Sequence, residues 1–267
     1  MMLQRRLLVP FVVMIALSVA AGARCGEPAP KVTEVPKDLR ESAKLDPFNQ
    51  KYTDYKGYPI LSSAKVSDTA LLEARFLISQ MLADRDDILK AIVKGKCRFT
   101  VMAPTEMTTD VPEHRNMTPK DYWDKRARGL GGKITSCGEE NLLNLKGDRY
   151  REENILIHEF AHCIHNFGLR LVDPKFDGRL RMIFTRSIDK GLWKDTYAAT
   201  NAGEFWAECV QSYFDCNNLP NKGVHNDINT RVKLARYDPE VFELIDEVFK
   251  QSKWRYIRYD QRKPQNR

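Results

Sequence analysis

The sequence predicts an α+β domain, mostly helical, with a small mixed sheet and one helix that carries the chemistry. Three observations lead there. Segments with apolar residues at helical spacing outnumber segments that alternate. Short runs such as Phe99 to Val101, alternating against polar neighbours, supply only a few strands. No internal repeat, and no long apolar segment after Ala23, imposes another architecture.

The elements follow in order. Arg5 and Arg6 precede an apolar run from Leu7 to Ala21, and Ala21-Gly22-Ala23 fits the small-x-small site of signal peptidase. The run falls short of the roughly twenty residues of a membrane span. Residues 1–23 are therefore expected to be a cleaved signal peptide, with a retained anchor as the alternative. The mature chain is expected to be secreted and to lack a transmembrane segment. Residues 24–50 hold Pro28, Pro30, Pro36 and Pro47 among charges and read as an extended leader or linker. Residues 51–258 form the expected domain, and 259–267 a basic tail.

Within the domain, Tyr58 to Leu61 reads as a short strand. Ser67 or Asp68 caps a helix carrying Leu71, Leu72, Phe76, Ile78 and Leu82. Asp86 to Lys94 is a second helix ending at Gly95, and Cys97 to Ala103 a strand. Thr105 to Pro119 is loop, and Asp121 to Arg128 a short helix broken by Gly129-Leu130-Gly131-Gly132. Lys133 to Cys137 is read as an edge strand able to hold an extended peptide by backbone pairing. A helix from about Tyr150 to Asn166, stopping near Gly168, buries Ile157, Phe160, Ile164 and Phe167. Asp238-Pro239 starts a last helix with Val241, Leu244, Ile245, Val248 and Phe249 on its apolar face.

The run His158-Glu159-Phe160-Ala161-His162 is the sharpest chemical signal. Two histidines four apart project from one helical face and can reach the same ion, and the intervening Glu159 then stands where it can take a proton from a bound water. His165 lies on the same face, but seven residues from His158 amounts to ~10 Å of rise, too far for one ion to span. The long metzincin pattern is excluded, because it needs glycine at His165 and histidine at Gly168. The third ligand is expected from Tyr197 to Glu208. There Asn201 caps a helix that places Glu204 and Glu208 on one face, with Trp206, Val210 and Tyr213 facing the core. Glu204 suits the metal, and Glu208 suits an imidazole N–H behind it. The expected cofactor is one catalytic zinc ion (Zn2+).

The pairing of His158-Glu159-Phe160-Ala161-His162 with Tyr197, six residues, and Glu204-Phe205-Trp206-Ala207-Glu208 resembles the catalytic domain of the anthrax lethal factor family, a gluzincin type of zinc metallopeptidase. The stretches Gly129 to Gly132, Glu139 to Leu143 and Glu153 to Ile157 also resemble exported relatives of that domain. The likeness runs from Lys51 to Trp254, strong at the two motifs and loose elsewhere. It implies a zincin-like fold in which His158, His162 and Glu204 bind zinc and Glu159 is the general base. It further implies that Tyr197 stabilises the oxyanion or protonates the leaving group, and that Glu208 supports the site. The toxin's other modules have no counterpart here, so its delivery route and kinase substrate do not carry over. The expected activity is a secreted zinc endopeptidase acting on extended polypeptide. The alternative is a silent member of the fold serving as a binding or matrix protein.

The remaining features are less specific. Six cysteines in an exported chain suggest disulfides, and links from Cys163 to Cys209 or Cys216, or from Cys137 to Cys216, would brace the site. Asn116-Met117-Thr118 is a glycosylation sequon. The formal net charge is +7, with much of the excess between Lys253 and Arg267, but no nucleic-acid fold signature accompanies it and no such partner is expected. Nothing in the sequence fixes the oligomeric state.

Overall fold

The chain enters a six-stranded sheet at its outer edge, in a computed structural model that describes residues 29–221, 223–250 and 252–263. Strand β1 (Thr33–Glu34) pairs antiparallel with β2 (Lys51–Tyr55), and helix α1 (Lys37–Ser42) lies between them in sequence. Val35 and Leu45 pack with Leu61 in a small satellite cluster. This corrects the expectation of an extended leader, for residues 33–50 contribute a strand and core contacts. Pro30 and Pro36 flank the short strand, with Pro36 at the N-cap of α1, which gives the segment the composition of a linker. The expected signal segment lies outside the described residues.

A hairpin leads from β2 to β3 (Tyr58–Ser62), and α2 (Asp68–Met81) and α3 (Asp86–Lys94) follow. Ser67 caps α2 by accepting from the Ala70 N–H at 3.2 Å. Strand β4 (Arg98–Met102) then runs parallel to β3. After α4 (Lys120–Arg126) come β5 (Gly129–Leu130), β6 (Ile134–Gly138) and α5 (Glu139–Leu142). The sheet order is β1-β2-β3-β4-β6-β5, mixed in direction. Lys133 to Cys137 is consequently not an edge. Strand β6 pairs with β4 on one side and β5 on the other, and the two-residue β5 takes the edge.

The second half is helical. Helix α6 (Ile155–Cys163) continues through a π-helical turn (Ile164–Leu169) into α7 (Arg170–Val172). It starts later than its periodicity suggests, because Asp148 and Asn141 take up the backbone before it. The Tyr150 N–H donates to Asp148, and Asn141 Nδ2 donates to the carbonyls of Tyr150 and Glu153. It ends later because Gly168 is a packing site and not a stop. A Cβ there would lie 2.7 Å from Cγ2 of Ile88 on α3. Then come α8 (Phe176–Asp189), α9 (Ala202–Tyr213), α10 (Arg231–Tyr237) and α11 (Pro239–Val248).

Helix α6 packs against β6 and α2, and α9 packs on α6 with α8, α10 and α11 around it. The Tyr58 and Phe160 rings meet at 5.4 Å, and Trp206 stacks on Phe249 at 6.1 Å. Trp206 Nε1 also donates to the Ala161 carbonyl at 2.9 Å, which ties α9 to α6 between the two histidines. The expected tail is partly tied down as well: Arg262 is buried on Glu73 of α2. Among the described residues no helix is long and apolar enough to cross a membrane.

The expected disulfides are not formed. Cys97, Cys137, Cys163, Cys209 and Cys216 are buried free thiols, and Cys25 lies outside the described residues. Cys163 meets Cys97 in the core and not the cysteines of α9 and its exit. These side chains act as small apolar fillers.

Candidate metal centre

Local capping sets where the two histidines point. The Asn154 side chain accepts from the Ile157 N–H at 3.0 Å, and Asn141 Oδ1 accepts from the Ile155 N–H at 2.8 Å. Two buried amides thus satisfy the first free donors of α6 and fix its rotation. On α9, Asn201 Oδ1 accepts from the N–H groups of Gly203 and Glu204 at 2.8 and 3.0 Å. The helix start it secures presents Glu204 to α6.

Three donor atoms meet there. His158 Nε2 lies 3.2 Å from Glu204 Oε2, His162 Nε2 lies 3.3 Å from the same oxygen, and the two Nε2 atoms are 3.3 Å apart. With bonds of about 2.0 Å, adjacent donors of a tetrahedral zinc ion sit about 3.3 Å from each other. The triangle therefore has the size of one tetrahedral face, and two imidazoles plus a carboxylate suit zinc. A zinc ion held by these three residues would keep a position for solvent or substrate.

Electrostatics ties the trio together. Burial by itself would push the His158 imidazole down, but the carboxylates of Glu204, Glu159 and Glu208 outweigh it and bring it to about 10. Burial likewise opposes the charged form of Glu204, yet the two imidazoles hold its carboxyl well below the usual range. Negative charge from three carboxylates converges on the His158 imidazole and favours positive charge there.

Behind His158 stands a layer the sequence reading only half anticipated. Nδ1 of His158 lies 2.8 Å from Gln211 Oε1 and 3.6 Å from Glu208 Oε1. Gln211 is thus the direct hydrogen-bond acceptor, with Glu208 farther off. Its position was readable, since residues 204, 208 and 211 fall on one helical face. Gln211 Nε2 in turn donates to Glu153 Oε2 and to the Asn154 carbonyl, both at 3.2 Å. Glu208 Oε2 accepts from Asn217 Nδ2 at 3.1 Å and lies 3.2 Å from His225 Nδ1. Glu153, Glu208 and His225 bring donor atoms within 4.8 Å of one another, a second group of metal-ligand type. Both carboxylates in it are already engaged by amide donors, including Asn218 on Glu153 at 3.2 Å. That trio reads as a hydrogen-bonded buttress.

Glu159 lines the same cleft as His158, Tyr197 and His225. A carboxylate oxygen of Glu159 lies within 4.8 Å of the ligand nitrogens of both. Burial raises the Glu159 carboxyl above its ordinary range, against the pull of the two imidazoles and of a backbone bond from Gly131. Gly131 has to be glycine. A Cβ there would come within 2.7 Å of His162 Cβ and 2.9 Å of Glu159 Oε2, closer than real contacts allow.

Tyr197 begins a single 3-10 turn, Tyr197–Ala199, whose N–H donates to the Val224 carbonyl at 2.7 Å. Its ring stacks toward His158 with centroids 6.4 Å apart, and Arg126 Nη2 donates to its hydroxyl oxygen at 3.5 Å. Burial and the Glu204 charge raise the Tyr197 phenol, and Arg126 opposes them. The hydroxyl therefore stays protonated and able to donate. His165 is apart from the trio: its Nε2 lies 2.7 Å from Asp177 Oδ1 and its ring packs on Phe176 at 5.3 Å. Clefts open on both flanks, one bounded by Arg126, Tyr197 and His225, the other by Arg170, Arg181 and Asn201.

No protein-family model matches the chain, and no curated protein does. Among solved structures, the Pro-Pro endopeptidase PPEP-2 from Paenibacillus alvei is similar, with 17% identity, 72% of this chain and 97% of that chain covered, and a TM-score of 0.49. A likeness of that size carries no weight for activity.

Proposed function

We propose that the protein is a zinc-dependent endopeptidase of gluzincin type, related to the lethal factor catalytic domain and exported by its N-terminal signal. The observation that carries this reading is the near-equilateral triangle of His158 Nε2, His162 Nε2 and Glu204 Oε2, with Glu159 beside it. A zinc ion held by these three residues supplies Lewis acidity and a water of pKa about 7.

The chain's own groups do the rest. Glu159 accepts a proton from the attacking water and returns it to the leaving amine, and burial raises its basicity for that task. The Tyr197 O–H donates to the oxyanion developing on the scissile carbonyl. Arg126 occupies a lone pair of the same hydroxyl, which leaves the proton free to point at substrate. Among the described residues strand β5 is paired only with β6, so its outer side is open to an extended peptide. Glu159 lies against it, for a Cβ on Gly129 would sit 3.1 Å from Glu159 Cγ.

The test is Glu159→Gln, assayed on a peptide library with zinc content measured in parallel. Turnover is expected to fall by about 10²–10⁴ while zinc stays bound. Equal turnover in the variant would remove Glu159 from the chemistry. A wild-type protein that binds zinc but cleaves nothing would favour the silent binding fold.

A further inference from the structure

We propose that His225 is a positioning residue for the metal centre, acting through Glu208 on His158; the inference rests on the zinc reading above. Glu208 is 3% exposed, and its two oxygens face different ways. Oε2 meets Asn217 Nδ2 at 3.1 Å and His225 Nδ1 at 3.2 Å, while Oε1 is turned toward His158 Nδ1 at 3.6 Å. A buried carboxylate takes the orientation its donors dictate. With His225 in place, Oε1 is the oxygen left to face the ligand imidazole.

The second reason is where His225 comes from. It closes a small loop through an antiparallel bridge between Asn221 and His225, with the Asn221 N–H donating to the His225 carbonyl at 2.9 Å. The carbonyl of Val224, its immediate neighbour, accepts the Tyr197 N–H at 2.7 Å. One loop thus holds the backbone of the candidate oxyanion donor and, one residue on, the carboxylate behind a candidate metal ligand. His225 also lines the cleft shared by Glu159 and Tyr197. The geometry gives this loop a joint role: one turn anchors both the Tyr197 backbone and the Glu208 carboxylate.

The contact is made by Nδ1, and that makes the role testable against mere packing. Asparagine places an amide N–H where Nδ1 stands, whereas glutamine places one where Nε2 stands. Zinc affinity is read by competition with a chromophoric chelator on the full chain, and kcat and KM on a cleaved peptide. His225→Ala and His225→Gln are expected to weaken zinc binding about tenfold and to lower kcat with KM little changed, while His225→Asn stays within about threefold of wild type. In a Glu208→Ala background, His225→Ala should cost nothing further in zinc affinity.

Four results would overturn the proposal. The first is equal behaviour of the asparagine and glutamine variants at unchanged melting temperature. The second is an undiminished loss in the Glu208→Ala background. The third is wild-type zinc affinity and kcat in all three variants. The fourth is two zinc ions per wild-type chain falling to one in His225→Ala, which would make the buttress a ligand set. Failure of wild type to hold zinc at all would instead strike the zinc reading, and the two failures are separable in one titration.

Discussion

Gln211 Oε1 approaches Nδ1 of His158 to 2.8 Å, nearer than either oxygen of any carboxylate around that ring. A neutral amide, itself fixed by two donations from its Nε2, therefore sets the tautomer of the first histidine. Gln211→Leu should weaken zinc binding about 10–100-fold, measured by chelator competition, with a smaller change in melting temperature. Unchanged affinity would show that Glu208 alone suffices.

Gly131 separates the cleft edge from His162 and Glu159 by less than the width of a methyl. Gly131→Ala must displace His162 or Glu159, since the added carbon would lie 2.7 Å from one and 2.9 Å from the other. We expect kcat/KM to fall about 10²-fold with zinc retained, as a displacement near 1 Å at a reacting group is enough for that. Wild-type kinetics in this variant would mean that the strand can retreat freely.

Arg126 and Tyr197 should behave as a unit. If the guanidinium serves by occupying a lone pair of the tyrosine hydroxyl, Arg126→Met lowers kcat about tenfold in the natural chain and hardly at all once Tyr197 is Phe. A double-mutant cycle on kcat measures this. Equal losses in both backgrounds would assign Arg126 to substrate contact instead.

The acid side of the pH profile follows from Glu159. As the proposed base, Glu159 works as a carboxylate, and burial raises its pKa in the folded protein, so activity is expected to fall as pH drops through a value above that of a free glutamate. The ascending limb of kcat/KM against pH should therefore lie higher than for an exposed glutamate of pKa about 4.3. A limb at or below that value would show the carboxyl to be well solvated.

Much of this was legible in the residues. Helices 68–81, 86–94 and 239–248 sit where apolar spacing, Ser67, Gly95 and Asp238-Pro239 put them, because those segments are regular and their caps are conventional. The meeting of His158, His162 and Glu204 was anticipated from helical spacing within two separate segments. What escaped was what spacing cannot encode. Gly129-Leu130 is too short to show alternation, yet it takes the sheet edge from Ile134–Gly138 through a pairing set by the fold. His225 lies in a loop without periodicity, and its meaning arises only where it touches Glu208. Even cysteine number suggested cross-links, but the five described thiols are free in the core, and Cys163 meets Cys97 and not the partners expected for it.

The indole of Trp206 grasping the Ala161 carbonyl has a mechanical corollary. The bond joins the residue before His162 to the residue two after Glu204, so α6 and α9 are clasped at the turn where the candidate ligands meet. Neither can slide or rotate without dragging its partner. On the zinc reading proposed above, warming the loaded protein should release the ion in the same cooperative step that melts the interior, with no earlier loosening of the site.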